Sequence, residues 1–181
     1  MKAAPIQLHQ MTFRRINVEI DVDRLNSGEL DEVDRHFAFD GVLIATHVGI
    51  SPMDQGDAPE RSFLLTLQVV IDNKVPEDGS AVKPSPYLVD VEAGAVIRVA
   101  DGAEALGDIE DLVVVNGTSL LWSAIREQVC NLTARMPAGV VTLPTVHFQD
   151  LRKHKPAAAS APVQAKPSKP RATKSPAKPT V

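Results

Sequence analysis

The sequence is poor in cysteine and aromatic residues, and it has no long apolar run. Cys130 is the only cysteine in 181 residues, which excludes an internal disulfide framework and suits a reducing compartment. Aromatic residues make up 4% of the chain, so any apolar binding surface is expected to be aliphatic. No apolar run reaches the roughly 18 residues of a membrane span, and the N-terminus lacks the hydrophobic region of a signal peptide. We therefore expect a cytoplasmic protein.

Motifs for catalysis and metal binding are also missing. The sequence has no phosphate-binding loop, no G-x-S-x-G and no Cys-His pair with a local signature. The nearest approach to a cation site is the group Glu32, Asp34, His36 and Asp40. This group lacks the glycine turn and terminal glutamate of a calcium loop, so we interpret it as a solvated acidic loop. We expect no catalytic residue, metal or cofactor, and we predict that the protein is not an enzyme.

Charge divides the chain into an acidic body and a basic tail. Residues 1–151 hold all 23 acidic residues and 11 Lys and Arg, a net charge of −12, whereas residues 152–181 carry +8 with no acidic residue. From His154 the composition is dominated by Ala, Pro, Lys and Ser. Frequent prolines oppose a helix, and little apolar surface is left to bury. We predict a folded domain over 1–151 and a disordered basic tail over 152–181.

Four segments of the body have the pattern of strands. Apolar and polar residues alternate over 16–22 and again over 41–50, as in half-buried strands. The segment 63–71 is apolar on both faces, which favours an interior strand or an oligomer contact. A fourth strand is predicted over 87–99, with a bulge or bend at Gly94. The connections encode no helical crossovers, so we predict an antiparallel sheet.

A long helix follows the strands. Its apolar residues recur at spacings of four and three and therefore share one face: Leu121, Ile125, Val129, Leu132 and Met136. We interpret Asn116-Gly117 as a break before the helix, Thr118 or Ser119 as its N-cap, and Pro137 with Gly139 as its end. An extended segment follows over 140–148. Residues 149–155 leave room for a second helix of barely two turns.

An ordered set of residues runs without a gap along this helix and the segment after it. The set comprises Leu121-Trp122, Arg126-Glu127, Arg135 and the run Val141 to Phe148. It resembles the C-terminal signature of the SecB family of protein-export chaperones, with three departures: Met136 stands for a glycine, one proline is shifted, and His147 stands for an asparagine. The resemblance implies an α+β fold, with a four-stranded antiparallel sheet followed by a long helix and a short second helix.

The resemblance also implies a function. SecB-like proteins are ATP-independent holdases that bind unfolded or non-native polypeptides, either for export or to protect a dedicated client such as an antitoxin. We predict the client surface on the extended segment: Val141, Leu143, Val146, Phe148 and Leu151. A holdase needs accessible apolar surface of this kind. The open alternative is that these residues complete the core.

Partners are implied in the same way. The family forms tetramers as dimers of dimers through the long helices, which places Trp122, Arg126 and Val129 at a predicted oligomer interface. The alternatives are that Trp122 is a core residue and that Arg126 is a solvated charge. The SecA motor is a further implied partner, and its contacts are predicted on acidic residues of the first strand: Glu19, Asp21 and Asp23. The family's tail contributes to the SecA contact, and the Lys-Pro-rich tail of this chain is of a different type.

The basic tail supports a competing class of function. Eight positive charges on a segment without acidic residues suit a nucleic-acid or anionic-surface binder. The acidic body itself would repel phosphate. A second interpretation is that the tail docks on the acidic body of its own chain.

Overall fold

The fold is a four-stranded antiparallel sheet covered on one face by a long helix. A computed structural model describes residues 4–26, 37–53, 61–77 and 79–153, and the structural statements below concern those residues. The sheet has the order β1-β4-β3-β2, with every neighbouring pair antiparallel. Its elements are β1 Ile6–Ile20, α1 Val22–Asn26, β2 Ala45–Met53, β3 Arg61–Ile71, β4 Tyr87–Val99 and α2 Ile109–Thr133, with short 3-10 helices at Ala103–Leu106 and Gln149–Leu151. The predicted α+β class is confirmed; the predicted tail lies almost entirely outside the described residues.

β1 starts ten residues earlier than the sequence pattern predicts. Its pairing with β4 shifts twice, and His9 and Arg14 are the extra residues at the two shifts. Each bulge moves the following side chains by one position, so the apolar residues stay on one face although they are not evenly spaced. The predicted end of this strand at residue 22 is also wrong. β1 ends at Ile20, and Val22 lies in α1 and is 57% exposed.

The two central strands agree with their predictions. β3 lies between β4 and β2, and alternate residues from Phe63 to Ile71 are buried, which confirms an interior strand. β4 has the predicted bounds. The bulge expected at Gly94 is instead on the neighbouring strand, since Gly94 pairs regularly with Thr12 and Thr66. β2 begins later than predicted and continues through Pro52, which an edge strand tolerates.

α2 begins nine residues before the predicted N-cap. The carboxylate of Asp108 accepts a hydrogen bond from the backbone N–H of Asp111 at 3.0 Å and caps the helix. Gly117 lies inside α2, where a Cβ would stand 2.5 Å from Leu65 Cδ2. The glycine therefore permits close contact between helix and sheet, and the predicted break at Asn116-Gly117 is wrong. The helix ends at Thr133, three residues before Met136, so the predicted apolar face is one residue shorter than expected.

The core lies between α2 and the covered face of β3 and β4. Leu121, Ile125 and Val129 of the predicted apolar face are fully buried, at 0% exposure. They pack with the inward-facing residues of the two central strands. This arrangement positions α2 over the centre of the sheet and leaves the β1 edge less covered.

Candidate functional site

One flank of α2 is covered by the C-terminal segment of the described chain. The backbone N–H of Val141 donates to Thr133 Oγ1 at 3.1 Å, and the indole Nε1 of Trp122 donates to the carbonyl of Pro144 at 2.9 Å. The backbone N–H of Lys153 donates to Asp111 Oδ1 at 2.8 Å.

The helix residues in these contacts are Thr133, Trp122 and Asp111, which are spaced by eleven positions. Eleven residues are about three helical turns, so the three side chains form one stripe along α2. The segment 141–153 therefore runs antiparallel to the helix and returns to its N-terminal end.

This segment is the predicted client surface, and most of its large side chains point inward. Val141, Leu143 and Phe148 are 1%, 0% and 7% exposed and belong to the core. The Phe148 ring packs edge-on against Trp122, with 5.8 Å between ring centroids. Val146 and Leu151 are 40% and 39% exposed. Client binding by this segment stays a prediction. The burial of Val141, Leu143 and Phe148 agrees with the alternative that these residues complete the core.

The other flank of α2 is open and forms an apolar groove with the start of β1. The groove has a volume of about 450 Å³. One wall comes from Ala4, Pro5 and Ile6; the other comes from the 3-10 helix and α2: Leu106, Leu112, Asn116, Ser119, Leu120 and Ser123. Leu106 and Leu120 are 63% and 42% exposed. The groove is therefore aliphatic and accessible.

β1 continues this apolar surface along the sheet. Directly paired residues of antiparallel strands share a face, and Leu8 pairs with the buried Ile97 while Ile16 pairs with the buried Val91. The residues of β1 on this face are called the β1 apolar row: Ile6, Leu8, Met11, Phe13, Ile16, Val18 and Ile20. Leu8 and Ile16 remain 41% and 44% exposed, because α2 lies mainly over β3 and β4. The β1 apolar row is thus only partly covered.

The opposite face of the sheet carries a polar cluster that spans β1, β4 and β3. Arg15 Nη1 of β1 lies 2.8 Å from Asp90 Oδ2 of β4, and Gln68 of β3 donates to Asp90 Oδ1 at 2.7 Å. The hydrogen bond from Gln68, together with Arg15, holds the pKa of the Asp90 carboxyl below its ordinary value. The outer face of the sheet is therefore polar where Arg15, Gln68 and Asp90 meet.

The predicted interface residues fall into two groups. Trp122 and Val129 are 4% and 0% exposed within the single chain, so they offer almost no surface to a partner. Arg126 is partly exposed. An oligomer interface at these positions stays a prediction, and among the three residues Arg126 has the most accessible surface.

The three acidic residues predicted to contact SecA are spread over two elements. Glu19 is exposed near the end of β1, and Asp23 is exposed in α1. Asp21 lies between them and accepts hydrogen bonds from the Asn73 side chain at 2.7 Å and from the backbone N–H of Arg24 at 3.3 Å. Asp21 therefore has a structural role at the start of α1, and the SecA contact stays untested.

No cluster of metal-ligating side chains occurs within the described ranges. Of the acidic loop considered above, Glu32, Asp34 and His36 lie outside those ranges. No described helix is long and apolar enough to cross a membrane.

Comparison with known proteins supports the fold. No protein-family model matches the chain, and no curated protein does. A protein of unknown function from Streptococcus agalactiae has a similar structure, with a TM-score of 0.50 and 11% identity over 80% of this chain and all of that chain. A SecB-like chaperone from Mycobacterium tuberculosis, solved with a peptide from an antitoxin, aligns with a TM-score of 0.41 and 14% identity over 78% of this chain and 91% of that chain. At these identities the first similarity shows the fold alone.

Sequence reasoning missed the groove and the first half of the β1 apolar row. The row has a readable signal, because Leu8, Met11, Phe13 and Ile16 are spaced by three, two and three. Such spacing indicates a strand with two bulges. The groove has no local signal, since its walls come from residues about a hundred positions apart.

Proposed function

We propose that the protein is an ATP-independent holdase that binds apolar segments of non-native polypeptides in the groove between α2 and β1. The observation that carries this proposal is the accessible aliphatic surface formed by the groove and the adjoining β1 apolar row, where Leu8, Ile16 and Leu120 are all more than 40% exposed. Contiguous exposed apolar surface of this kind marks a binding site.

The chemistry of the groove suits a client defined by apolarity rather than by sequence. Its large lining side chains are aliphatic, and its polar groups are the uncharged Asn116, Ser119 and Ser123. Asn116 and the two serines already donate to backbone carbonyls of α2, which leaves few groups to enforce one hydrogen-bonding pattern. Binding would therefore come from burial of apolar area, at about 25 cal/mol per Å².

The resemblance to SecB-family chaperones in the sequence supports the same proposal. It extends the proposal to a tetramer built from two dimers, and to either export through SecA or protection of a dedicated client such as an antitoxin. The buried state of Val141, Leu143 and Phe148 moves the proposed client surface to the opposite flank of α2, with Val146 and Leu151 as secondary contacts.

The test is suppression of aggregation of a chemically denatured model client at near-stoichiometric amounts. The double variant Leu8→Ser/Leu120→Ser changes one residue of the β1 apolar row and one of the helix wall, and we expect it to lose most of the suppression. Val75→Ser is the matched control, because Val75 is 72% exposed and follows β3 outside the groove.

Light scattering on the same samples separates a client from a second copy of the chain. If a second copy covers the groove, Leu8→Ser/Leu120→Ser lowers the assembly mass. Equal suppression by the double variant and the parent protein would contradict the proposed site. Absence of suppression by the parent protein would contradict the function.

A further inference from the structure

We propose that residues 154–181 dock on the acidic N-terminal end of α2 and extend over the groove, where they compete with clients. This inference rests on the proposed function and adds regulation of the same site by the chain's own tail.

The described chain ends at the place where this docking would begin. Lys153 Nζ lies 2.8 Å from Glu110 Oε2, and the backbone N–H of Lys153 donates to Asp111 Oδ1. The hydrogen bond with Glu110 and the charges of Glu110, Asp108 and Asp111 raise the pKa of Lys153. The last described lysine is thus already bound to the acidic end of α2, and residue 154 leaves from there.

The acidic end of α2 and the tail are complementary in charge. We define the acidic end by Glu104, Asp108, Glu110 and Asp111, which lie within eight positions, in the 3-10 helix before α2 and at the start of α2. Arg61 pairs with Glu104 at 3.3 Å, and Lys153 pairs with Glu110. Residues 154–181 carry six Lys and Arg and no acidic residue. Charges of opposite sign attract over about 8 to 10 Å at physiological salt.

The same end of α2 borders the groove. Leu106 and Leu112 line the groove, and in the sequence they alternate with the acidic residues Glu104, Glu110 and Asp111. The acidic residues and these two groove-lining leucines therefore lie in the same short stretch of chain, at the start of α2 and in the 3-10 helix before it.

The tail is long enough to reach the whole groove. Its 28 residues would span up to about 90 Å if extended and about 30 Å as a flexible coil. The helix wall between 109 and 123 is only about 21 Å long. A tethered segment at this distance has an effective concentration in the millimolar range, so even weak contacts suffice for occupancy.

The composition of the tail suits weak, displaceable binding in an aliphatic groove. Small apolar residues follow the first lysine of the tail at Ala157–Ala159 and Ala161–Val163. They match the aliphatic groove but bury little area each, and the prolines lack the N–H needed for continuous strand pairing. A client segment with larger apolar side chains would displace them.

The test measures binding of a fluorescent apolar peptide to the full-length chain by anisotropy. The charge-removal variant replaces the six cations of the tail by glutamine: Lys155→Gln, Lys166→Gln, Lys169→Gln, Arg171→Gln, Lys174→Gln and Lys178→Gln. The matched control converts the five lysines to arginine and keeps the charge. We expect the glutamine variant to bind the peptide roughly 3- to 10-fold more tightly, since a tethered competitor is weakened, and the arginine variant to bind like the parent protein.

The salt concentration and a variant of the acidic end provide two further readouts. Raising NaCl from about 20 mM to about 300 mM should tighten peptide binding by the parent protein and the arginine variant more than by the glutamine variant, because salt screens the docking charges. Glu104→Gln/Glu110→Gln should reproduce the effect of the glutamine tail.

The outcomes separate this inference from the proposed function. Equal peptide affinity in the parent protein and the glutamine variant, with the same salt dependence, overturns tail docking and leaves the holdase intact. No peptide binding by any variant overturns the holdase. Salt-sensitive binding of DNA or RNA that is lost in the glutamine variant, with unchanged peptide affinity, also overturns tail docking and assigns the tail to nucleic acid.

Discussion

Trp122 ties α2 to the C-terminal segment: its indole Nε1 donates to the carbonyl oxygen of Pro144 at 2.9 Å, and its ring packs edge-on against Phe148. Trp122 is 4% exposed and Phe148 is 7% exposed, so the ring contact is shielded from water, and the hydrogen bond is part-buried. Trp122, which the family resemblance assigns to an oligomer interface, therefore closes one flank of α2 within its own chain. The open flank opposite it is the candidate binding groove.

Trp122→Phe is expected to destabilise the protein by about 1–3 kcal/mol. The phenyl ring retains much of the packing, but it leaves the part-buried Pro144 carbonyl without its donor. Trp122→Ala should cost more, about 3–5 kcal/mol, because a large cavity is added. Urea denaturation followed by far-UV circular dichroism gives both values; fluorescence is unsuitable because Trp122 is the only tryptophan. An unchanged free energy of unfolding in Trp122→Ala would contradict the observed burial.

Asn73 holds the connection after β3 in an unusual backbone conformation. Its φ is 55°, in the left-handed region, and its side chain donates to Asp21 Oδ2 at 2.7 Å and to the Ser85 carbonyl at 2.8 Å. The Ser85 N–H returns a hydrogen bond to Asn73 Oδ1 at 2.8 Å. The amide thus joins the start of α1 to the residues preceding β4.

Asn73→Ala should lower the free energy of unfolding by about 2–4 kcal/mol, because the buried Ser85 groups lose their partners. Asn73→Gly loses the same hydrogen bonds but adopts positive φ without a Cβ clash, so it should be about 1 kcal/mol less destabilising than the alanine variant. Chemical denaturation of both variants measures the difference. Alanine as stable as glycine at this position would contradict the left-handed conformation.

The parts of the fold that the sequence predicted well are those with unbroken periodicity. β3 and β4 alternate without interruption, and their bounds or buried faces agree with the structure. The first half of β1 was missed because the bulges at His9 and Arg14 break the alternation. A two-residue period cannot be recognised across an inserted residue unless a shift is allowed.

The helix boundary failed for a different physical reason. Gly117 has a low helix propensity, and in isolation Asn116-Gly117 indicates a turn. In the folded chain the missing Cβ allows α2 to approach Leu65 and Ile97, so tertiary contact outweighs local propensity. The sequence signal for the actual start of the helix is Asp108, an N-cap residue with the acidic Asp111 three positions later.

The candidate site was the least predictable part. Apolarity alone did not distinguish Val141 and Leu143, which are buried, from Val146, which is exposed. Exposure depends on which flank of α2 each segment covers, and that follows from long-range contacts such as the hydrogen bond between Lys153 and Asp111. The groove joins Ile6 to Leu120, a relationship that no local pattern encodes.

The pH dependence of stability can be predicted from Asp90, which connects three strands. Its carboxylate accepts from Gln68 of β3 and pairs with Arg15 of β1, while Asp90 itself lies on β4. These interactions lower its pKa from the ordinary value of 3.8, with the Gln68 hydrogen bond as the largest cause. A carboxyl whose pKa is lower in the folded state stabilises the fold above its unfolded pKa, and this contribution is lost as the pH falls through the folded pKa.

We therefore expect the stability contributed by Asp90 to be complete above about pH 5 and to decline as the pH falls below about 4. Asp90→Asn should be less stable than the parent protein at pH 6, with the difference narrowing on acidification, as measured by urea denaturation across this range. Gln68→Met is the matched variant, because it leaves Asp90 and Arg15 in place but removes the main stabilising donor; an NMR titration of the Asp90 carboxyl should then show a higher pKa. A pKa that is unchanged in Gln68→Met would refute the assigned cause, and a difference between Asp90→Asn and the parent protein that grows on acidification would refute the sign.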